Sequence, residues 1–321
     1  MVSIGIDIGG TNIAGGVVSA DGRLIHKESV PFPGAEHAAD SVPATVGLIR
    51  SLMAHEGLCR EDVCSVGICV PGGVDYAQGT VISAHNLGYF DFRIIDLIRA
   101  ELPGFHYEIE NDANAAALAE YVSGAFKGYR SGLLVTIGTG IGGGLILDGK
   151  LFIGGMRHGF EFGHASLVFG GRPCTCGNNG CIEAYCSATA LRREGERASR
   201  EHPESLLASR LDEGGKLSAK DVIDCAKLGD VTACRVFEDY CDYLGMAISS
   251  GINVLDPEVV AIGGGVSGAG DFLLGNVRKY LDRYVFFNRR SFAKLVLASM
   301  GNDAGIVGAA TLYRQRQREG L

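Results

Sequence analysis

The sequence predicts an α/β fold of two related domains, and three observations carry that prediction. A strand, a glycine turn, a second strand, an Asp-Gly turn and a third strand open the chain. The same order returns after residue 132. At 321 residues with 46% hydrophobic content, the chain is also long enough for two cores. A β-meander that repeats, each time followed by helices, suggests two related halves, and such halves naturally form a cleft for a ligand.

Taken in order, residues 2–8 alternate as a strand, Gly9-Gly10-Thr11-Asn12 turns, and residues 13–19 resume an extended pattern. Asp21-Gly22 is a hairpin signal, and residues 24–30 form the third strand. This antiparallel opening is unlike a Rossmann unit. Residues 39–56 are amphipathic and helical, and 63–70 read as a buried strand ending at Pro71-Gly72-Gly73. Residues 107–110 form a short strand with Asn111-Asp112 at its end, followed by an alanine-rich helix over 113–123. In the second half, 132–137 is a strand, 138–143 a glycine loop, 144–147 a strand and Asp148-Gly149 a turn, with a third strand from Leu151. Residues 192–218 read as charged, helical, solvated surface. A long helix covers 233–251, a strand at 259–262 runs into Gly263-Gly264-Gly265, and a helix over 304–317 closes the chain.

Composition narrows the function. The formal net charge is −8 and no basic stripe is present, which excludes nucleic acid and anionic membrane as expected partners. The first residues lack the cationic head and cleavage site of a secretory leader. The longest apolar stretch, 132–147, is glycine-rich and too short to span a bilayer. A cytoplasmic, reducing setting is therefore expected, and ten cysteines there point to metal binding or burial rather than disulfides.

Four glycine- or acid-bearing segments carry chemistry. In Asp7-Ile8-Gly9-Gly10-Thr11-Asn12 a strand delivers an acid to a turn whose backbone N–H groups can reach phosphate oxygens; Asp7 suits a hydrated magnesium ion. The segment Thr136 to Gly144 repeats that logic, with Thr139 and Gly140 at its turn. No Gly-Lys-Ser/Thr follows, so it is not a Walker loop, and a strand rather than a helix follows, so it is not a dinucleotide fingerprint. Gly264 and Gly265, after a buried strand, suit close approach to adenine or ribose. Asp112 stands at a strand end, where a carboxylate can take the proton of a sugar hydroxyl. On local sequence alone, Asp112 equally suits the N-cap of the helix that follows.

The most specific pattern is His164 followed by Cys174, Cys176 and Cys181. Three thiolates and one imidazole complete tetrahedral zinc with no open position, the arrangement of a structural metal. The single residue between Cys174 and Cys176 makes a tighter spacing than the two residues usual in zinc fingers.

An ordered series of segments then identifies a resemblance. DIGGTN (7–12), VPGGVD (70–75), HNLG (85–88), ENDANAA (110–116), TIGTGIGGG (136–144), EFGH (161–164), CTCGNNGCIEAYCS (174–187), IGGGVS (262–267) and GNDAGIVGAA (301–310) resemble the ROK family of repressors, open reading frames and sugar kinases. The resemblance covers nearly the whole chain. It implies a two-domain actin/hexokinase-like ATPase fold with ribonuclease-H-like halves and a central cleft. The expected domains are residues 1–115 plus 305–321 and residues 116–304.

It further implies transfer of the γ-phosphoryl group of MgATP to a hexose, with structural Zn²⁺ on His164, Cys174, Cys176 and Cys181. Asp112 falls on the family's catalytic aspartate. Asn86, Asn111, Glu161, His164 and Glu183 fall on its sugar ligands, with His164 serving metal and sugar through opposite ring nitrogens. Asp7, Gly9, Gly10, Thr11, Asn12, Thr139, Gly140, Gly264 and Gly265 fall on the ATP side. Glucose is the first expected substrate; allose, mannose, fructose, N-acetylmannosamine and N-acetylglucosamine are alternatives. Phe160 and the segment Met156-Arg157-His158 depart from the glucokinase pattern, and Arg157 and His158 are expected on loop surface. A homodimer is expected from relatives. A DNA-binding repressor is disfavoured because the phosphate turn begins at residue 7, and a sugar sensor without catalysis is the rival reading.

Overall fold

A computed structural model describes residues 1–156, 159–211 and 214–319 of the chain. Arg157 and His158 lie outside the described residues. The chain divides into two compact units, one of residues 1–132, 144–160 and 299–321, the other of residues 133–143 and 161–298.

The first unit opens with β1 (Val2–Ile8), β2 (Asn12–Val18) and β3 (Leu24–Pro31), then α1 (Ser41–His55) and β4 (Val63–Val70). Three short strands follow, β5 (Gly73–Asp75), β6 (Thr80–Ala84) and β7 (Tyr89–Phe92), then α2 (Ile94–Glu101), β8 (Tyr107–Asn111) and α3 (Asp112–Ser123). The sheet order is β3-β2-β1-β4-β8, antiparallel across β1–β2–β3 and parallel across β1–β4–β8. The strands β5, β6 and β7 make a separate three-stranded antiparallel sheet that the sequence reading did not anticipate.

The second meander is β9 (Gly132–Ile137), β10 (Ile141–Leu147) and β11 (Lys150–Leu151). It is followed by α4 (Glu183–Cys186), α5 (Ala188–Glu201), α6 (Ala219–Lys227), α7 (Val231–Leu255), β12 (Val259–Gly263), α8 (Asp271–Tyr284), β13 (Lys294–Leu297) and α9 (Ala304–Glu319). Its sheet order, β11-β10-β9-β12-β13, repeats that of the first sheet, third-second-first-fourth-fifth in each meander's own count. The repeat expected from the glycine turns is therefore present in the topology. The expected charged helix over 192–218 is α5 alone, which ends at Glu201; the chain then turns through a short 3-10 segment at Ala208–Arg210. A Ser218–Asp221 capping box starts the separate helix α6.

Isoleucines of β1 and valines of β4, all fully or nearly fully buried, pack against α1 to form the core of the first unit. The helix α9 covers the other face at unusually short range. A Cβ placed on Gly67 would sit 1.8 Å from the Ala309 carbonyl oxygen, and one on Gly308 would sit 1.8 Å from that of Ala115. Backbone therefore touches backbone where α9 crosses β4 and α3. This contact groups α3 and Ser299–Leu321 with the first unit, beyond the boundary at residue 115 expected from sequence. Among the described residues, no helix is long and apolar enough to cross a membrane.

Candidate active site and metal centre

Parallel strands β1, β4 and β8 end at one edge, and register places Asp7 beside Cys69 and Cys69 beside Glu110. That edge, the carboxyl end of a parallel set, is where α/β sheets hold ligands. Gly9 donates its N–H to the Asn12 carbonyl at 2.9 Å, closing the first glycine turn, and Phe32 N–H ties Thr11 from the far side. Asn86, on a short turn after β6, points its amide at this loop: a Cβ on Gly10 would lie 3.5 Å from its Nδ2. Asp7 rests against the first turn of α9, where only glycine fits at position 305, since a Cβ there would be 2.3 Å from the Asp7 carboxylate.

The two acids of this edge interact. Burial, then the charge of Asp112, pushes the Asp7 carboxyl up from 3.8 to about 6, partly offset by a hydrogen bond from Cys69. A largely desolvated carboxylate beside another is what a bound cation relieves. A folded-state value above the ordinary one means that ionised Asp7 costs stability. The cost is absent below about pH 4 and complete above about pH 6. Asp7→Asn is expected to raise the thermal midpoint at pH 7.5, by on the order of 1–3 kcal/mol of stability, and to leave it nearly unchanged at pH 4. Thermal melts at the two pH values check this; equal shifts at both would contradict the charge argument.

At the β8–α3 junction the structure separates two roles that sequence left open. Asn111 is the N-cap: its Oδ1 accepts the N–H groups of Ala113 (2.9 Å) and Asn114 (3.2 Å), and its Nδ2 donates to the Gly72 carbonyl at 3.1 Å. Asp112 is the first helical residue, and its Oδ1 accepts the Ala113 N–H at 2.8 Å. The amide of Asn111, expected as a sugar ligand, is thus engaged at both ends by backbone. Beneath it, Glu110 is fully buried and accepts from Tyr76 Oη (2.7 Å), Asn111 N–H (2.9 Å) and Asn114 Nδ2 (3.0 Å), with Arg316 at 3.6 Å. Burial raises its pKa. Sequence reading missed this anchor, because β8 carries two acids, Glu108 and Glu110, and nothing local tells the fully buried one from the other.

In the second unit, the expected zinc ligands come together. The ligand atoms of His164, Cys174, Cys176 and Cys181 all lie within 4.8 Å of one another. Cys176 and Cys181 sulfurs are 3.7 Å apart, and Cys174 sulfur is 3.7 Å from His164 Nδ1. Tetrahedral Zn²⁺ with ordinary bond lengths requires about 3.8 Å between sulfurs and about 3.6 Å from sulfur to nitrogen. The donor set fits the metal in both number and spacing. Backbone bonds between Cys174 and Asn178, and between Leu167 and Gly180, fold the loop around these donors. Burial and the neighbouring thiols push Cys181 up to about 12, so a cation is what would let three thiolates coexist.

Glu183 opens α4 directly after this loop. Its Oε1 accepts from Thr175 Oγ1 at 3.2 Å, and its Oε2 accepts the Ile141 N–H at 3.0 Å. A Cβ on Gly140 would lie 2.3 Å from that same oxygen. Gly264, with φ +78, packs over the Ile137 backbone, so the third glycine segment lies beside the second glycine turn. Glu161 is exposed, at the start of the 3-10 turn that carries His164.

The expected residues thus form two sets: Asp7, the first turn, Asn86, Asn111 and Asp112 in the first unit; Thr139, Gly140, Gly264, Gly265, Glu161, Glu183 and the metal donors in the second. Comparison with known proteins finds relatives that match nearly the whole chain. A glucokinase of Halalkalibacterium halodurans is 35% identical over 317 residues, covering 98% of this chain and 95% of its own. A xylose repressor of Bacillus spizizenii is 28% identical, covering 97% of this chain and 76% of its own. The crystal structure of a ROK family glucokinase from Streptomyces griseus, in complex with glucose and AMPPNP, aligns with a TM-score of 0.82 at 35% identity, over 98% of this chain and all of that one. The ROK family profile itself matches residues 3–316, and with two repeated meanders, two glycine turns and a loop of one histidine and three cysteines in place, the chain belongs to the ROK family.

Proposed function

We propose that this protein is an ATP-dependent sugar kinase that transfers the γ-phosphoryl group of ATP to a hexose hydroxyl, with glucose the first-choice acceptor. The observation that carries the reading is the β8–α3 junction. Asn111 takes the capping role, and Asp112 is presented beside Asp7 at the carboxyl edge of the sheet. Asp112 accepts the proton of the attacking hydroxyl and aligns its oxygen. N–H groups of the Gly9–Asn12 and Gly138–Gly140 turns receive the nucleotide phosphates. Asp7 would hold hydrated Mg²⁺, which supplies neutralisation of phosphate charge. Asn86, Asn111, Glu161, His164 and Glu183 are assigned to the sugar, with Asn111 acting through its remaining amide hydrogen. His164, Cys174, Cys176 and Cys181 would hold Zn²⁺, which supplies rigidity to the loop that carries Glu183.

Support for glucose comes from the glucokinases of Halalkalibacterium halodurans and Streptomyces griseus, each 35% identical to this chain. A coupled ATP-to-ADP assay across glucose, allose, mannose, fructose, N-acetylglucosamine and N-acetylmannosamine tests the reading. One sugar is expected to dominate in kcat/KM. Turnover on none of them, with sugar binding still visible by calorimetry, would replace the kinase by a sugar-sensing regulator, the role that the name of the repressor relatives suggests.

A further inference from the structure

The second glycine turn is held from one side by a single short stretch, the start of α5. The first N–H of that helix, on Ala188, donates to the Gly138 carbonyl at 2.9 Å. The Thr189 hydroxyl donates to the Thr139 carbonyl at 2.8 Å. Ser187 caps α5 through the Ala190 N–H at 3.1 Å, so the two donors stand on a fixed helix end. Peptide planarity then decides the rest. In each trans peptide the N–H points opposite to the carbonyl it follows. Two successive carbonyls drawn toward α5 turn the N–H groups of Thr139 and Gly140 away from it. Two consecutive N–H groups aimed the same way make a concavity for an anion. Gly140 is required there, because the Glu183 carboxylate fills the space a Cβ would take.

We propose that Thr189 is a positioning residue for the nucleotide phosphates: its hydroxyl locks the Thr139–Gly140 peptide so that the Gly140 N–H faces the phosphate oxygens beside the Thr139 N–H, which the Ala188 bond sets. Glu183 completes the clamp at Ile141, and through its bond from Thr175 it ties the turn to the metal-binding loop. The inference rests on the kinase reading, but it assigns a residue outside the expected ATP and sugar ligands.

Thr189→Val keeps the side chain's shape and removes the donor; Thr189→Ser keeps the donor. Titration of the folded, zinc-loaded proteins with ADP and with glucose by calorimetry separates the roles. Thr189→Val is expected to weaken ADP binding about tenfold, the scale of one lost hydrogen bond amplified at an anion site, with glucose affinity within about twofold of the parent. Thr189→Ser is expected to restore ADP affinity to within about twofold. Amide exchange at residues 139–141 should quicken in Thr189→Val and not in Thr189→Ser. Unchanged ADP affinity in Thr189→Val, or an equal loss in Thr189→Ser, overturns the positioning role and leaves the kinase reading standing. Failure of the parent protein to bind ADP at all overturns the kinase reading and this inference with it.

Discussion

Asp112→Asn is expected to lower kcat on the preferred sugar by about 10²–10⁴-fold, the range supplied by a positioned general base. The amide is the right probe because Asp112 Oδ1 accepts the Ala113 N–H, and an asparagine oxygen performs that duty equally well. The cap of α3 belongs to Asn111 and is untouched. Sugar affinity should therefore hold within a few-fold while turnover collapses, which a kcat-against-Kd comparison reads directly. The variant should also be no less stable than the parent at neutral pH, since removing one negative charge relieves Asp7, whose carboxyl Asp112 helps to push up. Turnover within tenfold of the parent would remove Asp112 from the role of base. A drop accompanied by loss of stability would mean that the junction had been disturbed instead.

The second large effect concerns the fold. Gly67→Ala is expected to cost about 3 kcal/mol or more, enough to make the chain largely insoluble. Its Cβ would lie 1.8 Å from the Ala309 oxygen, and both partners are backbone, so neither can rotate aside. Either α9 lifts off the sheet or β4 shifts, and β4 precedes Pro71-Gly72, whose carbonyl receives Asn111. Gly47→Ala is the control: Gly47 is exposed within α1 with nothing near its would-be Cβ, and the change should stabilise by up to about 1 kcal/mol. Urea midpoints of the two variants check the pair. A loss below about 1 kcal/mol for Gly67→Ala would show that the helix can retreat at little cost.

The parts of the molecule legible in the sequence are those whose cause is local. Asp21-Gly22 and Asp148-Gly149 fix two hairpins by turn chemistry, and β1 and β9 declare themselves by apolar runs before glycine turns. The metal donors are legible because chelation restricts residue type and spacing at once. The three-stranded sheet is not, because β5 and β7 have three and four residues, and the adjacent apolar pairs Val81-Ile82 and Tyr89-Phe90 hide the alternation that leaves Ile82 and Phe90 exposed. The division of labour at the β8–α3 junction stayed open because Asn and Asp are both good caps and stand side by side. The clamp on the second glycine turn was invisible for another reason. Thr189 meets Thr139 across fifty positions of chain, and a threonine at a helix start has a sufficient local explanation already.

The covering of the first sheet by α9 has a consequence for how the chain is made. Its strands and α3 are complete by Ser123, yet the helix that closes their second face begins only at Ala304. Synthesis of the roughly 180 residues between takes on the order of 10–40 s at usual elongation rates. Through that interval the surface that will receive α9, with Gly5 and Gly67 on it, stays open, whereas the residues of the second unit are all in place by Ala298. The unit that is begun first is therefore finished last. Shortening the chain before residue 304 leaves that face of the sheet permanently unsealed.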